Sequence, residues 1–335
     1  MRKCAGVEIG MHLTIRSLIL AIVMCLGIAA HAEPPNRVFE VTAENRAEFR
    51  IAAKHPLKKG RLYIDKRKRT FQIYDPRPDN MSLELPLVIV LHGGGGDAKG
   101  AARMTGFSKK AAEEGFVVVY PNGVSRLRKL RTWNAGHCCA YAMEKQIDDV
   151  AFISALIDKM IADYNIDPDR VFVTGMSNGA MMTHRIGREL GDKVTAIAPV
   201  VGAIFGDEAL APVPVSTLII AGAEDGKVPG RGGYGDYVTR EPPLDKPYAP
   251  ALAQSAYWTE SNGCVGTSKH HSNDVYVRTL FDTCKAGTRV AYYVVKDNGH
   301  AWPGGKPGWH RADKPTEAFD ATDVIWNFFK GVSQP

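Results

Sequence analysis

The segment Gly175-Met176-Ser177-Asn178-Gly179 is the part of this sequence best suited to covalent chemistry. It fits the pattern G-x-S-x-G, in which a sharp turn between a strand and a helix exposes a serine nucleophile. An apolar, strand-like run (171–174) precedes it and a helix-like stretch (180–190) follows it. This context predicts Ser177 as a nucleophile. The alternative is a glycine-rich turn that happens to contain a serine.

A serine hydroxyl is a poor nucleophile near neutral pH, so Ser177 needs a base and an acid that orients that base. His300 is the expected base, because it lies just past the last apolar strand, where a loop can carry an imidazole over the sheet edge. The other histidines fit worse. His92 opens a glycine run, His184 falls inside the helix after Ser177, and four others lie in polar loops, namely His137, His270, His271 and His310.

The acid is expected between the serine and the histidine in chain order, at the end of another strand. Asp225 meets this condition, because it follows the apolar run 215–221. Glu224 is its local rival, since either carboxylate of this turn could reach an imidazole. The order Ser177, Asp225, His300 is that of the α/β-hydrolases and differs from the order in other serine-hydrolase folds.

Such a reaction also needs hydrogen-bond donors aimed at the developing oxyanion. The glycine run after Leu91-His92 can present backbone N–H groups, and we assign the two donors to Gly94 and Asn178. The same run loosely fits a dinucleotide-binding fingerprint. That reading fails at the next strand, because Tyr120-Pro121-Asn122 offers no acid to hold a ribose.

The elements that must position these residues alternate between strand-like and helix-like patterns from about residue 70. This alternation predicts an α/β fold with a mainly parallel central sheet and helices on both faces. Two irregular stretches, 122–145 and 226–250, are expected to be loops over the site. The clearest strands are 85–91, 116–120, 171–174, 194–201, 215–221 and 289–296, and the clearest helices include 150–161 and 316–330.

The first 32 residues have the pattern of an export signal. Basic residues precede an apolar run (18–30), and Ala30-His31-Ala32 is a cleavage pattern. The run is shorter than the roughly 20 residues that a membrane span needs, although an uncleaved anchor is the alternative. We therefore expect a signal peptide over residues 1–32, a single catalytic domain over residues 33–335, and a secreted or periplasmic protein.

Four cysteines remain after residue 32, an even number that indicates disulfides in an exported chain. Cys264 and Cys284 are the expected pair, which would add about 3 kcal/mol of stability by closing a loop. Cys138 and Cys139 are adjacent in the sequence. A strained vicinal bridge and two unpaired thiols both remain open for them.

Composition excludes several classes of protein. With 45% hydrophobic and 23% charged residues, the chain can fill a core and is not a disordered or fibrous sequence. Its 42 basic and 36 acidic residues give a net charge of +6, too small to indicate a nucleic-acid-binding protein. Residues 54–69 are strongly basic, a pattern most typical of a solvated edge hairpin.

Together these motifs resemble a family of secreted α/β-hydrolase esterases that includes polyhydroxybutyrate depolymerases and feruloyl esterases. The resemblance covers nearly all of the chain after about residue 60. It implies the triad Ser177, Asp225 and His300, no metal or organic cofactor, and a substrate cleft near Trp133 and Trp302, although either tryptophan could instead pack in the core. The motifs are Leu91-His92-Gly93, Tyr120-Pro121-Asn122-Gly123, Trp133-Asn134-Ala135-Gly136, Asp148-Asp149-Val150, Gly175-Met176-Ser177-Asn178-Gly179-Ala180-Met181, Glu224-Asp225-x-x-Val228-Pro229, Gly263-Cys264 and Gly299-His300-Ala301-Trp302-Pro303-Gly304-Gly305.

Two departures from the family pattern affect the expected substrate. Four glycines stand where the family usually has a glycine and a cysteine after His92, and no separate binding domain follows on a linker. The expected partner is therefore a small or oligomeric ester, with no nucleic acid and no stable membrane insertion. Feruloyl or acetyl esters on plant polysaccharide fragments come first and hydroxybutyrate oligomers second. Another class of function, a non-catalytic carbohydrate-binding protein of the same fold, stays open, as does the oligomeric state.

Overall fold

The computed structural model describes residues 56–78, 83–126, 130–236 and 246–332, all within the compact unit Phe39–Pro335. The predicted signal peptide, residues 1–32, lies outside the described residues. Among the described residues, no helix is long and apolar enough to cross a membrane.

Within the described residues, ten strands form one sheet in the order β1-β2-β4-β3-β5-β6-β7-β10-β9-β8. The six central strands from β4 to β10 are parallel, and an antiparallel hairpin lies at each edge. The predicted central strands match the observed ones to within a few residues. The strands are β1 (Lys58–Ile64), β2 (Arg67–Tyr74), β3 (Leu85–Leu91), β4 (Val117–Pro121), β5 (Ile166–Met176), β6 (Ala196–Val200), β7 (Ser216–Gly222), β8 (Lys269–Ser272), β9 (Tyr276–Phe281) and β10 (Val290–Val295).

Helices cover both faces of this sheet, and each face has its own apolar core. On one face, α4, α5 and α6 pack through residues such as Phe152, Met181 and Trp258. On the other face, α1, α2 and α7 pack through Met104, Phe107 and Phe329. The helices are α1 (Ala98–Thr105), α2 (Phe107–Glu114), α3 (Ala140–Glu144), α4 (Asp149–Tyr164), α5 (Asn178–Glu189), α6 (Ala251–Ser261) and α7 (Ala321–Phe329), with a short 3₁₀ turn at Lys285–Gly287.

Aspartates begin three of these helices by accepting a hydrogen bond from a backbone N–H of the first turn. Asp97 accepts from Gly100 at 2.8 Å, Asp148 from Ala151 at 2.8 Å and Asp320 from Asp323 at 3.0 Å. Such caps satisfy donors that the helix leaves unpaired. The Asp320 cap explains why the last helix starts at Ala321 and not at residue 316, as the sequence pattern predicts.

The four cysteines that the structure describes form two bridges. Cys264 and Cys284 are joined across a sequence separation of 20, which confirms the predicted pair. Cys138 and Cys139 are also joined, across a cis peptide bond, so the vicinal bridge is the alternative that the structure adopts.

Candidate active site

Ser177 lies at the turn between β5 and α5, at the carboxyl edge of the sheet. Its backbone has φ 57° and ψ −125°, a conformation that side chains rarely adopt. Glycine is required at positions 175 and 179 because backbone atoms of other segments approach closely there. A Cβ added to Gly175 would lie 2.6 Å from the Gly179 carbonyl oxygen, and one added to Gly179 would lie 2.5 Å from that of His92. The turn therefore has the strain and the tight packing of a nucleophile elbow.

The three side chains predicted to act together form one continuous hydrogen-bonded chain. His300 Nε2 lies 2.8 Å from Ser177 Oγ, and His300 Nδ1 lies 2.8 Å from Asp225 Oδ2. With Nδ1–H donating to the carboxylate, Nε2 is left free to accept the serine proton. His300 is 7% exposed and Asp225 is 5% exposed, so the interaction is largely shielded from water.

The turn after β7 separates the two carboxylates that the sequence left as rivals. Asp225 is buried, and its Oδ1 accepts hydrogen bonds from the N–H groups of Lys227 at 2.9 Å and Val228 at 2.8 Å. Glu224 is exposed. Asp225 is thus the carboxylate held against the imidazole.

The glycine run after β3 lies directly against the elbow. A Cβ added to Gly93 would lie 3.4 Å from the Ser177 Cβ, and one added to Gly94 would lie 3.8 Å from the Asn178 Cβ. The structure therefore brings together the two stretches whose N–H groups we assigned to an oxyanion hole. Donation by Gly94 and Asn178 stays a prediction.

A comparison with known protein families adds an independent finding. Residues 70–225 match the model of the family described as esterase PHB depolymerase. The matched region includes Ser177 and Asp225, whereas His300 lies beyond it.

Proteins similar in sequence to this chain are named for several ester-hydrolysing activities. A bifunctional acetylxylan esterase/xylanase of Neocallimastix patriciarum is 34% identical over 41% of this chain and 19% of its own length. Poly(3-hydroxyalkanoate) depolymerase C of Paucimonas lemoignei is 30% identical over 69% of this chain and 58% of its own length. A protein named probable feruloyl esterase C, from Aspergillus clavatus, is 25% identical over 82% of this chain and 88% of its own length. The chain spans less than two thirds of the length of the first two of these relatives, at 19% and 58%.

A solved structure shares the fold. The acetyl xylan esterase from Aspergillus awamori has 16% sequence identity and a TM-score of 0.55, over 81% of this chain and 98% of its own. The prediction of an α/β-hydrolase fold, mainly parallel with helices on both faces, is confirmed.

The expected substrate contacts of Trp133 and Trp302 need correction. Trp133 is 0% exposed and Trp302 is 1% exposed. Their indole N–H groups donate to the His92 carbonyl at 2.9 Å and to the Thr322 hydroxyl at 3.0 Å. Both rings therefore pack inside the domain and present no face to a ligand, so the alternative reading of them as core residues is the one that holds.

A buried hydrogen-bond network around Trp133 supports the nucleophile elbow. The Asn178 side chain accepts from the Trp133 backbone N–H at 2.7 Å and donates to its carbonyl at 3.1 Å. The next residue, Asn134, donates its backbone N–H to Asp149 at 2.8 Å, and Asp149 pairs with Arg69 at 2.6 Å. This network ties the loop after β4 to the residue that follows the nucleophile.

The Arg69–Asp149 pair is fully enclosed, with side chains 2% and 0% exposed. Burial raises the pKa of Asp149 and lowers the pKa of Arg69, and in each case the partner's charge opposes the shift. The sequence signal for this pair was ambiguous. Arg69 stood in a basic run and Asp149 in an acidic first helical turn, and neither pattern indicates a partner 80 residues away.

His92 has a structural role in the glycine loop. Its Nδ1 bonds to the Gly93 carbonyl at 2.8 Å, and its Nε2 accepts the Gly123 N–H at 3.0 Å. Burial lowers the pKa of His92 to about 4, so the ring stays neutral above that pH and holds the loop in one tautomer.

Asp313 is a further residue near the triad that the sequence pattern did not reveal. Its Oδ2 accepts the backbone N–H of His300 at 2.7 Å, and its Oδ1 lies 3.7 Å from the Lys227 ammonium. Lys227 belongs to the same turn as Asp225. Asp313 therefore links the loop of the base to the loop of the acid, as a positioning residue.

Three other histidines that the structure describes have partners outside the triad. His184 is buried between Gln254 and Trp258, and burial lowers its pKa to about 4. His137 bonds to Asp207, and His270 bonds to Ser268 and Thr279 on the edge hairpin. In the part of the chain that the structure describes, no group of three or more His, Cys, Asp or Glu side chains could hold a metal ion.

Proposed function

We propose that this protein is a serine carboxylic ester hydrolase that works through an acyl-enzyme. The observation that carries the proposal is the hydrogen-bonded chain from Ser177 through His300 to Asp225, with 2.8 Å at each step. The family match and the named activities of the relatives support ester substrates.

In the first half of the reaction, His300 Nε2 takes the proton of the Ser177 hydroxyl while Oγ attacks the ester carbonyl. The negative charge that develops on the carbonyl oxygen is bound by the N–H groups of Gly94 and Asn178. The C–O bond to the alcohol then breaks, and the imidazolium returns its proton to the leaving alkoxide. Ser177 is left acylated, and Asp225 has held the ring in one tautomer throughout.

In the second half, a water molecule takes the position of the alcohol. His300 removes its proton, the oxygen attacks the acyl carbon, and the bond to Oγ breaks as the proton passes to Ser177. The acid leaves and the enzyme returns to its starting state.

For the substrate, we propose acetyl or feruloyl esters on plant polysaccharide fragments. Relatives named acetylxylan esterase and feruloyl esterase support this choice. Hydroxyalkanoate oligomers are the second candidate, favoured by the relative named poly(3-hydroxyalkanoate) depolymerase C. We further propose export from the cytoplasm, which the Cys264–Cys284 disulfide supports.

The test is hydrolysis of p-nitrophenyl acetate, methyl ferulate, acetylated xylan fragments and hydroxybutyrate trimers by the purified protein. We expect turnover of the small ester and of at least one xylan-type ester, and about 10⁴-fold or greater loss of kcat in Ser177→Ala. Turnover of the trimer alone would reverse our order of substrates. Equal activity of Ser177→Ala and the unaltered protein would refute the mechanism.

A further inference from the structure

The β1–β2 hairpin concentrates the positive charge of this chain. Residues 58–69 contain seven Lys or Arg residues and one acidic residue, Asp65, which gives +6 against a formal net charge of +6 for all 335 residues. The rest of the chain is therefore formally neutral. The seven cations are Lys58, Lys59, Arg61, Lys66, Arg67, Lys68 and Arg69.

Six of these seven cations are exposed to solvent. Arg69 is buried against Asp149, but the other six residues are exposed, and none of them forms an ion pair with any residue that the structure describes. In the register of the hairpin, the cations of the two strands face uncharged residues, such as Thr70 opposite Arg61 and Tyr63 opposite Lys68. The six exposed cations are therefore open to an external anion.

The register of the sheet places this cluster beside the candidate active site. Strand β2 is antiparallel to β4, and Phe71 pairs with Pro121, the last residue of β4. Arg67–Thr70 therefore extend beyond the carboxyl end of β4, on the same sheet edge as Ser177 at the end of β5. Three strand spacings, or about 15 Å, separate β2 from β5.

One face of the hairpin carries cationic side chains and an exposed aromatic ring. Lys59, Arg61 and Tyr63 alternate along β1 on the exposed face, with side chains about 7 Å apart. Lys68 lies directly opposite Tyr63, whose side chain is 64% exposed. The surface thus combines spaced cations with one accessible ring.

We propose that the β1–β2 hairpin is a docking surface for an acidic polysaccharide, a chain bearing uronic acid carboxylates. The carboxylates pair with Lys59, Arg61 and Lys68, and a sugar ring packs on Tyr63. An ester group farther along the same chain then reaches Ser177. The link to catalysis rests on the proposed esterase function, whereas binding by the hairpin does not.

The observations favour a polysaccharide over other polyanions. Single-stranded nucleic acids are bound by several aromatic rings on which successive bases stack, whereas the exposed face of this hairpin offers Tyr63 alone among the described residues. An anionic membrane surface also attracts clustered cations, but this face lacks the large apolar side chains whose insertion strengthens membrane binding.

Binding is measured by titrating the full-length protein with polygalacturonate at low salt. We expect saturable binding that weakens about tenfold in Arg61→Gln/Lys68→Gln and is lost at high salt. The matched control is Lys285→Gln/Lys296→Gln, which removes two exposed cations near the other edge of the sheet and should leave binding unchanged. Tyr63→Ala should weaken binding without changing its dependence on salt.

The same proteins separate this proposal from the esterase proposal. Ser177→Ala should bind polygalacturonate as tightly as the unaltered protein, and Arg61→Gln/Lys68→Gln should lower the kcat/KM ratio of an acetylated acidic xylan to p-nitrophenyl acetate about tenfold. Polygalacturonate binding without any ester hydrolysis would overturn the esterase proposal only. The docking proposal would be overturned if both double variants weakened polygalacturonate binding equally, or if the unaltered protein did not bind polygalacturonate. Tighter binding to single-stranded DNA or to phosphatidylserine vesicles would also overturn it.

Discussion

The two sides of Ser177 are built by different means. On the acid–base side, side chains do the chemistry, and Asp225 and His300 meet across two loops that a partly exposed ion pair, Lys227–Asp313, joins. On the other side, the proposed oxyanion donors are backbone N–H groups, and a buried network through His92, Trp133 and Asn178 holds the two stretches that carry them. A side chain can adjust by rotation about its own bonds, but a backbone donor depends on the packing around it.

The largest expected effect is on the acid–base side. Asp225→Asn keeps the shape of the turn but removes the charge that fixes the imidazole tautomer, so kcat should fall about 10⁴-fold. Glu224→Gln, one residue away and exposed, is the control and should keep the original kcat. Steady-state kinetics on p-nitrophenyl acetate measure both. A large loss in Glu224→Gln with none in Asp225→Asn would reverse the assignment.

On the oxyanion side, the largest effect should be on stability. Arg69→Met leaves Asp149 buried without its partner and should lower the free energy of unfolding by about 3–5 kcal/mol. Arg67→Met, two residues earlier on an exposed position, should change it little. Urea unfolding followed by circular dichroism gives both values. Similar stabilities for the two variants would show that the buried pair does not hold this side together.

Acidic pH should lower the stability of the folded protein mainly through buried histidines. The pKa of His92 is lowered to about 4, so between pH 6.5 and 4 the unfolded chain binds a proton that the folded protein excludes. Stability should therefore fall as the pH drops through this window, by up to about 3 kcal/mol for His92. In His92→Asn, the proton uptake on unfolding should drop by about one. An unchanged pH dependence in this variant would contradict the buried neutral state.

The smallest effect concerns the link between the two catalytic loops. Asp313→Ala removes the acceptor of the His300 backbone N–H and should lower kcat about tenfold with little change in KM. Asp313→Asn keeps an acceptor oxygen at that position and should restore most of the activity. The measured kcat is divided by the fraction of protein that an active-site titrant labels. Equal losses in both variants would assign the effect to the charge of Asp313 instead.

Much of the fold could be predicted from the sequence because its signals are local. The parallel strands are short runs of Val, Ile and Leu buried on both sides, and β3 begins and ends where its pattern predicts. The triad could be located because each member follows a strand and all parallel strands end at one edge. The β8–β9 hairpin was not predicted, since its residues are mostly exposed and lack an apolar alternation.

The residues that support the site could not be predicted, because their partners are distant in the chain. Asp313 is one carboxylate in a polar loop, and only the folded chain places it on the His300 backbone. The two tryptophans show the opposite limit. Their positions close to Asn134 and His300 in the sequence indicated that they lie near the candidate site. The sequence does not reveal, however, whether a large ring faces a cleft or the core.

Labelling by a fluorophosphonate tests the central claim most directly, because this reagent reacts only with an activated serine. Intact mass spectrometry with peptide mapping should find one adduct, on Ser177, in the unaltered protein, none in Ser177→Ala, and much slower labelling in His300→Ala. An adduct on another residue, or labelling of Ser177 at the same rate without His300, would contradict the account.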